Sequence, residues 1–171
     1  MSVTNKPEVS KITALSYGIL FIFVAAIAMF FLYATFFTPM GLIVGIVASV
    51  VSAFIALVML LILSSLYRTR YILTNEELIL RTTILIGGSK TIPLITVWSV
   101  EKTLMPFAIK LFGASFHGGY YHIPGLGRTF LTITNFKDGL LIKTDQRNYI
   151  ITPSNPLSFK EDMENKTRNL K

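Results

Sequence analysis

No charged residue occurs between Lys11 and Arg68, a run of 56 consecutive uncharged positions. Only 15% of the whole chain is charged, against roughly 25% in soluble domains. A run this long and this apolar leaves its side chains two places to go, a large core or a membrane. A chain of 171 residues has room for one ordinary domain or for a membrane anchor plus a smaller one.

The run divides into two segments, about residues 12–37 and 42–66. As a helix each exceeds the roughly 30 Å hydrocarbon thickness of a bilayer, at about 1.5 Å per residue. Between them stands Thr38-Pro39-Met40-Gly41, with Pro fixing φ and Gly permitting reversal. So short a link predicts an antiparallel transmembrane hairpin. Lys6 and Lys11 precede it, Arg68 and Arg70 follow it, and the link is uncharged. The positive-inside rule then predicts a multi-pass protein of the cell (plasma) membrane with both termini cytoplasmic. Ala26-Ile27-Ala28 resembles a signal-peptidase site, but apolar sequence continues directly after it, which argues against a cleaved signal. The expected layout is a tail over 1–11, the hairpin over 12–67 and a cytoplasmic domain over 68–171.

Small residues recur every fourth position in the second segment, at Gly41, Gly45, Ser49 and Ala53. Such stripes let helices approach closely in lipid. Their expected use is packing inside the hairpin, with oligomerisation as the alternative. No Asp, Glu, Lys, Arg or His lies within either segment, which argues against a proton or ion pathway.

After Tyr67 the periodicity changes. Strands are expected at 71–73, 77–83, 90–94, 96–103, 130–134, 140–144 and 149–152. The stretch 105–127, with five glycines and two prolines, reads as a long irregular connection holding one short strand at 119–122. Asn155 and Pro156 suit the N-cap and first turn of a helix running to about Arg168. The fold class is therefore an α+β membrane protein: a helical hairpin, then a small β sandwich or barrel with a C-terminal helix.

The residues of this second half resemble a known family. Tyr71-Ile72-Leu73-Thr74-Asn75-Glu76-Glu77-Leu78-Ile79-Leu80, then Ile92-Pro93-Leu94, then Val97 to Glu101, are similar to the opening of bacterial and archaeal pleckstrin-homology-like (PH-like) domains. Gly113, Pro124-Gly125, Leu141 to Thr144, Tyr149 to Pro153 and Phe159 continue the likeness over roughly residues 69–165. The resemblance implies two packed, nearly orthogonal sheets plugged at one end by the helix, often tethered to a membrane. Phosphoinositide-gripping relatives place basic residues at the first hairpin. Here that turn is Thr74-Asn75-Glu76-Glu77, whose carboxylates repel a phosphorylated headgroup. Arg68, Arg70 and Arg81 near the hairpin remain possible anionic-lipid contacts.

No catalytic constellation is visible. Gly125-Leu126-Gly127-Arg128 lacks the Gly-Lys-Ser/Thr of a phosphate loop, and there is no Gly-x-Ser-x-Gly elbow. His117 and His122 have no carboxylate near them in sequence, and the chain has no cysteine, so no metal or cofactor is expected. The tail after Tyr67 carries 14 basic and eight acidic residues, scattered without the basic, aromatic-rich run of a nucleic-acid site. Phe107, Ile109 and Phe112, in the segment 105–112, either cover the core or form an interaction surface. The expected function is a noncatalytic membrane-anchored interaction module whose partners are the bilayer and a protein or further copies of itself. The alternatives are a subunit of a larger transport or secretion complex, or an enzyme with a site the sequence does not reveal.

Overall fold

The computed structural model describes residues 3–7, 9–37, 41–113, 115–136 and 138–170. It comprises two compact units, one of residues 11–64 and one of residues 1–10 with 65–171.

The first unit holds helices α1 (Lys11–Phe37) and, continuing to Ser64 within this unit, α2 (Leu42–Arg68). Both are long and apolar enough to cross a membrane, and their most apolar 18-residue windows are only 11% and 22% buried. The expected turn lies outside the described residues except for Gly41. Inside the unit, Gly45 meets Thr35: a Cβ added there would fall 2.0 Å from the Thr35 hydroxyl oxygen. The buried residues of α2 here are Gly45, Ser52, Ala56 and Met59, whereas Gly41 faces open space and Ala53 is exposed. Ser49 is half-buried and its hydroxyl donates to the Gly45 carbonyl. The packed face thus departs from the every-fourth stripe. Steps of four residues drift around a helix by about 40° each, while alternating steps of four and three hold one face.

The second unit is a two-sheet β fold with one helix. In the first sheet β1 (Val3–Asn5), β2 (Arg70–Leu73), β3 (Glu77–Arg81) and β4 (Lys90–Pro93) lie in that order, all antiparallel. The second sheet contains β5 (Val97–Leu104), β6 (Ile109–Phe112), β7 (Gly118–Ile123), β8 (Gly127–Thr132), β9 (Asp138–Thr144) and β10 (Asn148–Ile151). Its order is β5-β9-β10-β8-β7-β6, with β10 and β8 parallel. Helix α3 (Pro156–Arg168) follows, its N-cap Asn155 accepting from the Ser158 N–H at 3.2 Å.

Alternation decides which side chains meet. Tyr71, Leu73, Leu78, Leu80 and Ile92 from the first sheet pack on Phe130, Leu140, Ile142 and Ile151 from the second, with Phe159 and Met163 of α3. Each large side chain removed from water here contributes roughly 1.5–3 kcal/mol. The Tyr71 hydroxyl bridges the sheets, donating to the Thr132 carbonyl at 3.0 Å and accepting from the Thr152 N–H at 3.4 Å. Burial holds its pKa far above the ordinary phenol value. The second sheet has its other face covered too: Tyr121, Ile123, Leu131, Ile133, Leu141 and Ile150 lie under Met105, Ala108 and Leu126.

Three features correct the sequence reading. The expected tail supplies β1, tied to the domain by Ser10 N–H to Thr134 O at 3.1 Å and Ser154 N–H to Asn5 Oδ1 at 3.1 Å. The strand expected to reach Thr83 stops at Arg81, and a single 3-10 turn occupies Ile84–Ile86. Within 105–127 the strand expected at 119–122 is present as β7, and a second strand that was not expected, β6, precedes it. Pro93 ends β4, the outer strand of its sheet, where its missing N–H breaks no ladder.

Candidate functional site

The glycines of the 105–127 segment let three pieces of backbone touch. A Cβ on Gly118 would stand 2.0 Å from the Ile86 carbonyl oxygen, and one on Gly119 would stand 2.2 Å from that of Phe112. Gly119 also has φ +120°, which side-chain-bearing residues rarely adopt. The turn at Ile84–Ile86, β6 and β7 are thereby drawn together. A register shift between Lys110 and Phe112 marks a bulge in β6.

This close approach leaves β6 as an outer strand with apolar side chains in solvent. Phe107 is 78% exposed, Ile109 53% and Phe112 74%. Met105 and Ala108 of this segment pack on the core, while Phe107, Ile109, Leu111 and Phe112 are exposed. Phe116 and Ile84 extend the exposed apolar surface.

Between the Ile84–Ser89 connection and β6 opens a cavity of about 810 Å³, lined among others by Ile84, Lys90, Leu111, Phe112 and Tyr120. Tyr120 gathers cations from three separate parts of the fold. The Arg128 guanidinium lies 4.7 Å from its ring centre, that of Arg147 lies 5.6 Å away, and Lys90 Nζ lies 5.7 Å away. Arg147 also donates to the Tyr120 hydroxyl at 3.0 Å. Lys90 reaches the Phe130 ring as well, at 5.6 Å. Among the described residues none of these three cations has a carboxylate within 4.0 Å. Such contacts hold the cations over an aromatic face without neutralising them.

The other singled-out residues do not converge on this place. Arg70 is spent on the end of α2, donating to the carbonyls of Tyr67 at 2.9 Å and Thr69 at 2.7 Å. Arg81 stands opposite it in the β2–β3 ladder and is exposed, as is Arg68. The β2–β3 turn is closed by Thr74, whose hydroxyl accepts from the Glu77 N–H at 2.9 Å. His117 is buried, its Nδ1–H donating to the Ile133 carbonyl at 3.2 Å. Desolvation lowers its pKa below the ordinary imidazole value. His122 is exposed on β7 opposite Arg128, and no group of three His, Cys, Asp or Glu side chains gathers among the described residues. Lys90, Tyr120, Arg128 and Arg147 escaped the sequence reading because β4, β7, β8 and the β9–β10 turn bring them together. Arg128 follows a glycine and Arg147 sits in a predicted turn, but nothing linear links the four.

Two sheets enclosing one core with a C-terminal helix, following two apolar helices in sequence, define a PH-like domain in an α+β chain. The chain belongs to the bacterial PH domain family, whose model matches residues 69–167, 99 of its 171 residues. No curated protein and no solved structure matches it. PH-like domains are generally noncatalytic. The matched span includes the candidate site and leaves out α1, β1 and α2.

Proposed function

We propose that this protein is a noncatalytic, membrane-anchored interaction module. In this reading α1 and α2 span the cell membrane as a hairpin and the PH-like domain works at its cytoplasmic face. Supporting the anchor are the two exposed apolar helices and the basic residues flanking them. Because residues 1–10 and 65–171 form one unit, the helix pair begins and ends in the same domain, as a hairpin with both termini on one side requires.

The observation that carries the interaction is the unprotected outer strand β6, with Phe107, Ile109 and Phe112 exposed beside it. An outer strand offers unpaired N–H and C=O groups to another chain, and apolar side chains add affinity. The occupant is a strand of a partner protein or of a second copy. Tethering both in one membrane raises their effective concentration, so a weak contact suffices. The test is affinity purification of the full chain from gently solubilised native membranes, with mass-spectrometric identification and sizing. A reproducible partner or homo-oligomer lost on Phe107→Asp with Ile109→Asp is expected. A monomer without partners, or a complex indifferent to both substitutions, refutes the reading. A stoichiometric partner bound only through the helices would favour a subunit of a larger membrane complex.

A further inference from the structure

We propose that the strand joining β6 is an extended segment of a partner protein that presents a carboxylate among large apolar side chains. The inference rests on the reading of β6 as the interaction edge and names the chemistry of what that edge takes. Phe112 stands opposite Tyr120 in the β6–β7 ladder, so the two side chains share one face of the sheet. Leu111, the extra residue of the β6 bulge, lines the same groove as Phe112, Tyr120, Ile84 and Lys90. A strand added to β6 sends every second side chain toward this groove. Ile84, Leu111 and Phe112 are exposed there and are covered only by apolar partners.

Charge decides the rest. Among the described residues, Lys90 and Lys110 are the only charged side chains bordering the groove. The Lys110 amine is engaged by the Ser115 carbonyl and lies against the rings of Phe116 and Tyr121. Lys90 holds its amine over the Tyr120 and Phe130 rings at 5.7 and 5.6 Å, with no carboxylate within 4.0 Å among the described residues. The imbalance is wider than the groove. Residues 78–137, which include β4, the Ile84–Ile86 turn, β6, β7 and β8, hold six basic residues and one acidic. That one, Glu101, is paired with Lys143 on the far side of the sheet. Complementary potential selects partners and speeds encounter. Two copies meeting edge to edge through β6 lack it: residues 102–137 contain no Asp or Glu, so like charge would lie beside like charge.

The test is fluorescence anisotropy of labelled octapeptides with the full chain in detergent. The parent peptide alternates valine with threonine, and glutamate or glutamine replaces one central valine or one central threonine. Saturable binding is expected. Glutamate at the valine position should bind about tenfold tighter than glutamine there, the scale of one charge-assisted hydrogen bond. At the threonine position, on the other face of the strand, the two should bind alike. Raising salt should narrow the preference. Lys90→Gln should erase it, and Ile84→Ser should weaken all the peptides severalfold; the peptide comparison alone decides the matter if a variant fails to fold. Equal affinity for glutamate and glutamine at the valine position, or no binding by any peptide, overturns the proposal. Either result, with a native complex still lost on Phe107→Asp and Ile109→Asp, leaves the β6 edge as the interface and removes only the acidic partner. A complex indifferent to those substitutions removes both. An oligomer of the chain alone that the same substitutions disperse makes a second copy the occupant and overturns this inference.

Discussion

The second sheet has two outer strands, β5 and β6, and they are built on opposite plans. Strand β5 carries Glu101 and Lys102, which pair with Lys143 at 2.8 Å and Asp138 at 3.4 Å on neighbouring β9, and α3 packs beside it. Charge along an outer strand discourages another strand from adding to it. Strand β6 has four residues, a bulge, and no ion pair among its described residues. Its one cation, Lys110, turns away to donate to the Ser115 carbonyl and lies 5.1 Å from the Phe116 ring. The contrast teaches where to look for function: one edge is blunted and the other is left available.

The largest effect should come from disturbing how β6 and β7 are held. Gly118→Ala forces a methyl group into the Ile86 carbonyl, which is backbone and cannot turn aside. A loss of about 3 kcal/mol or more is expected, measured by denaturant unfolding of the full chain in detergent. Gly88→Ala tests the same argument from the other direction. Its added carbon meets nothing within 4 Å, so its cost should be limited to backbone strain at φ +75°, about 1 kcal/mol. Equal losses at the two positions would show that close approach is not what fixes this edge.

Phe107→Asp with Ile109→Asp should separate binding from stability. Both side chains are more than half exposed, so unfolding should change by no more than about 0.5 kcal/mol per site. Partner or self-association should nevertheless fall at least tenfold, as sizing of solubilised complexes would record. The matching change on β5, Trp98→Asp, replaces a side chain that is also exposed, and it should leave association intact. Loss of association with the β5 variant alone would assign the interface to the wrong edge.

The edges also differ in how they respond to acid. Beside β7 the buried His117 has a pKa lowered chiefly by desolvation and further by nearby Lys110, against the opposing pull of its bond to Ile133. In the unfolded chain the ring binds a proton near the ordinary value of 6.5 while the folded one stays neutral. The stability this neutral ring confers is complete above about pH 6.5 and is lost as pH falls toward the folded value. Hydrogen exchange at β7 and β8 should accelerate over that interval, and His117→Gln should flatten the response. An unchanged pH profile in the variant would remove the histidine from the account.

How much of this was legible beforehand follows from how local each signal is. The paired helices and α3 declare themselves through unbroken apolar runs and through Asn155-Pro156, and β9 and β10 through two β-branched runs around a four-residue turn. Strand β1 was not legible: Val3-Thr4-Asn5 has no periodicity of its own and pairs with residues 71–73, beyond both helices. Strand β6 was hidden by its bulge, which breaks the alternation within four residues. Of the fourfold stripe on α2, Gly45 packs on Thr35 and Ser49 is half-buried, whereas Gly41 and Ala53 are exposed, because the stripe is visible in letters and its rotation is not. The cation cluster was beyond reach for the same reason as β1. Lys90, Tyr120, Arg128 and Arg147 become neighbours only when β4 is stacked over β7 and β8.

The smallest expected effect belongs to the protected edge and bears on why it is protected. The Glu101 carboxylate accepts from Lys143 at 2.8 Å and from the Ser99 hydroxyl at 2.6 Å, and these contacts lower its pKa below the ordinary 4.5. Its contribution is present above about pH 4.5 and fades as pH falls further, a lower interval than that of His117. The pair is solvent-exposed and screened, so Glu101→Gln should shift stability only marginally and less still in high salt. If ion pairs on β5 serve to repel a second strand, their value lies elsewhere. Removing Glu101 and Lys102 together with Lys143 should leave the unfolding midpoint nearly unchanged while new self-association appears through β5, detected as a larger species on sizing. A triple variant that stays as dispersed as the parent would mean that α3, rather than charge, guards this edge.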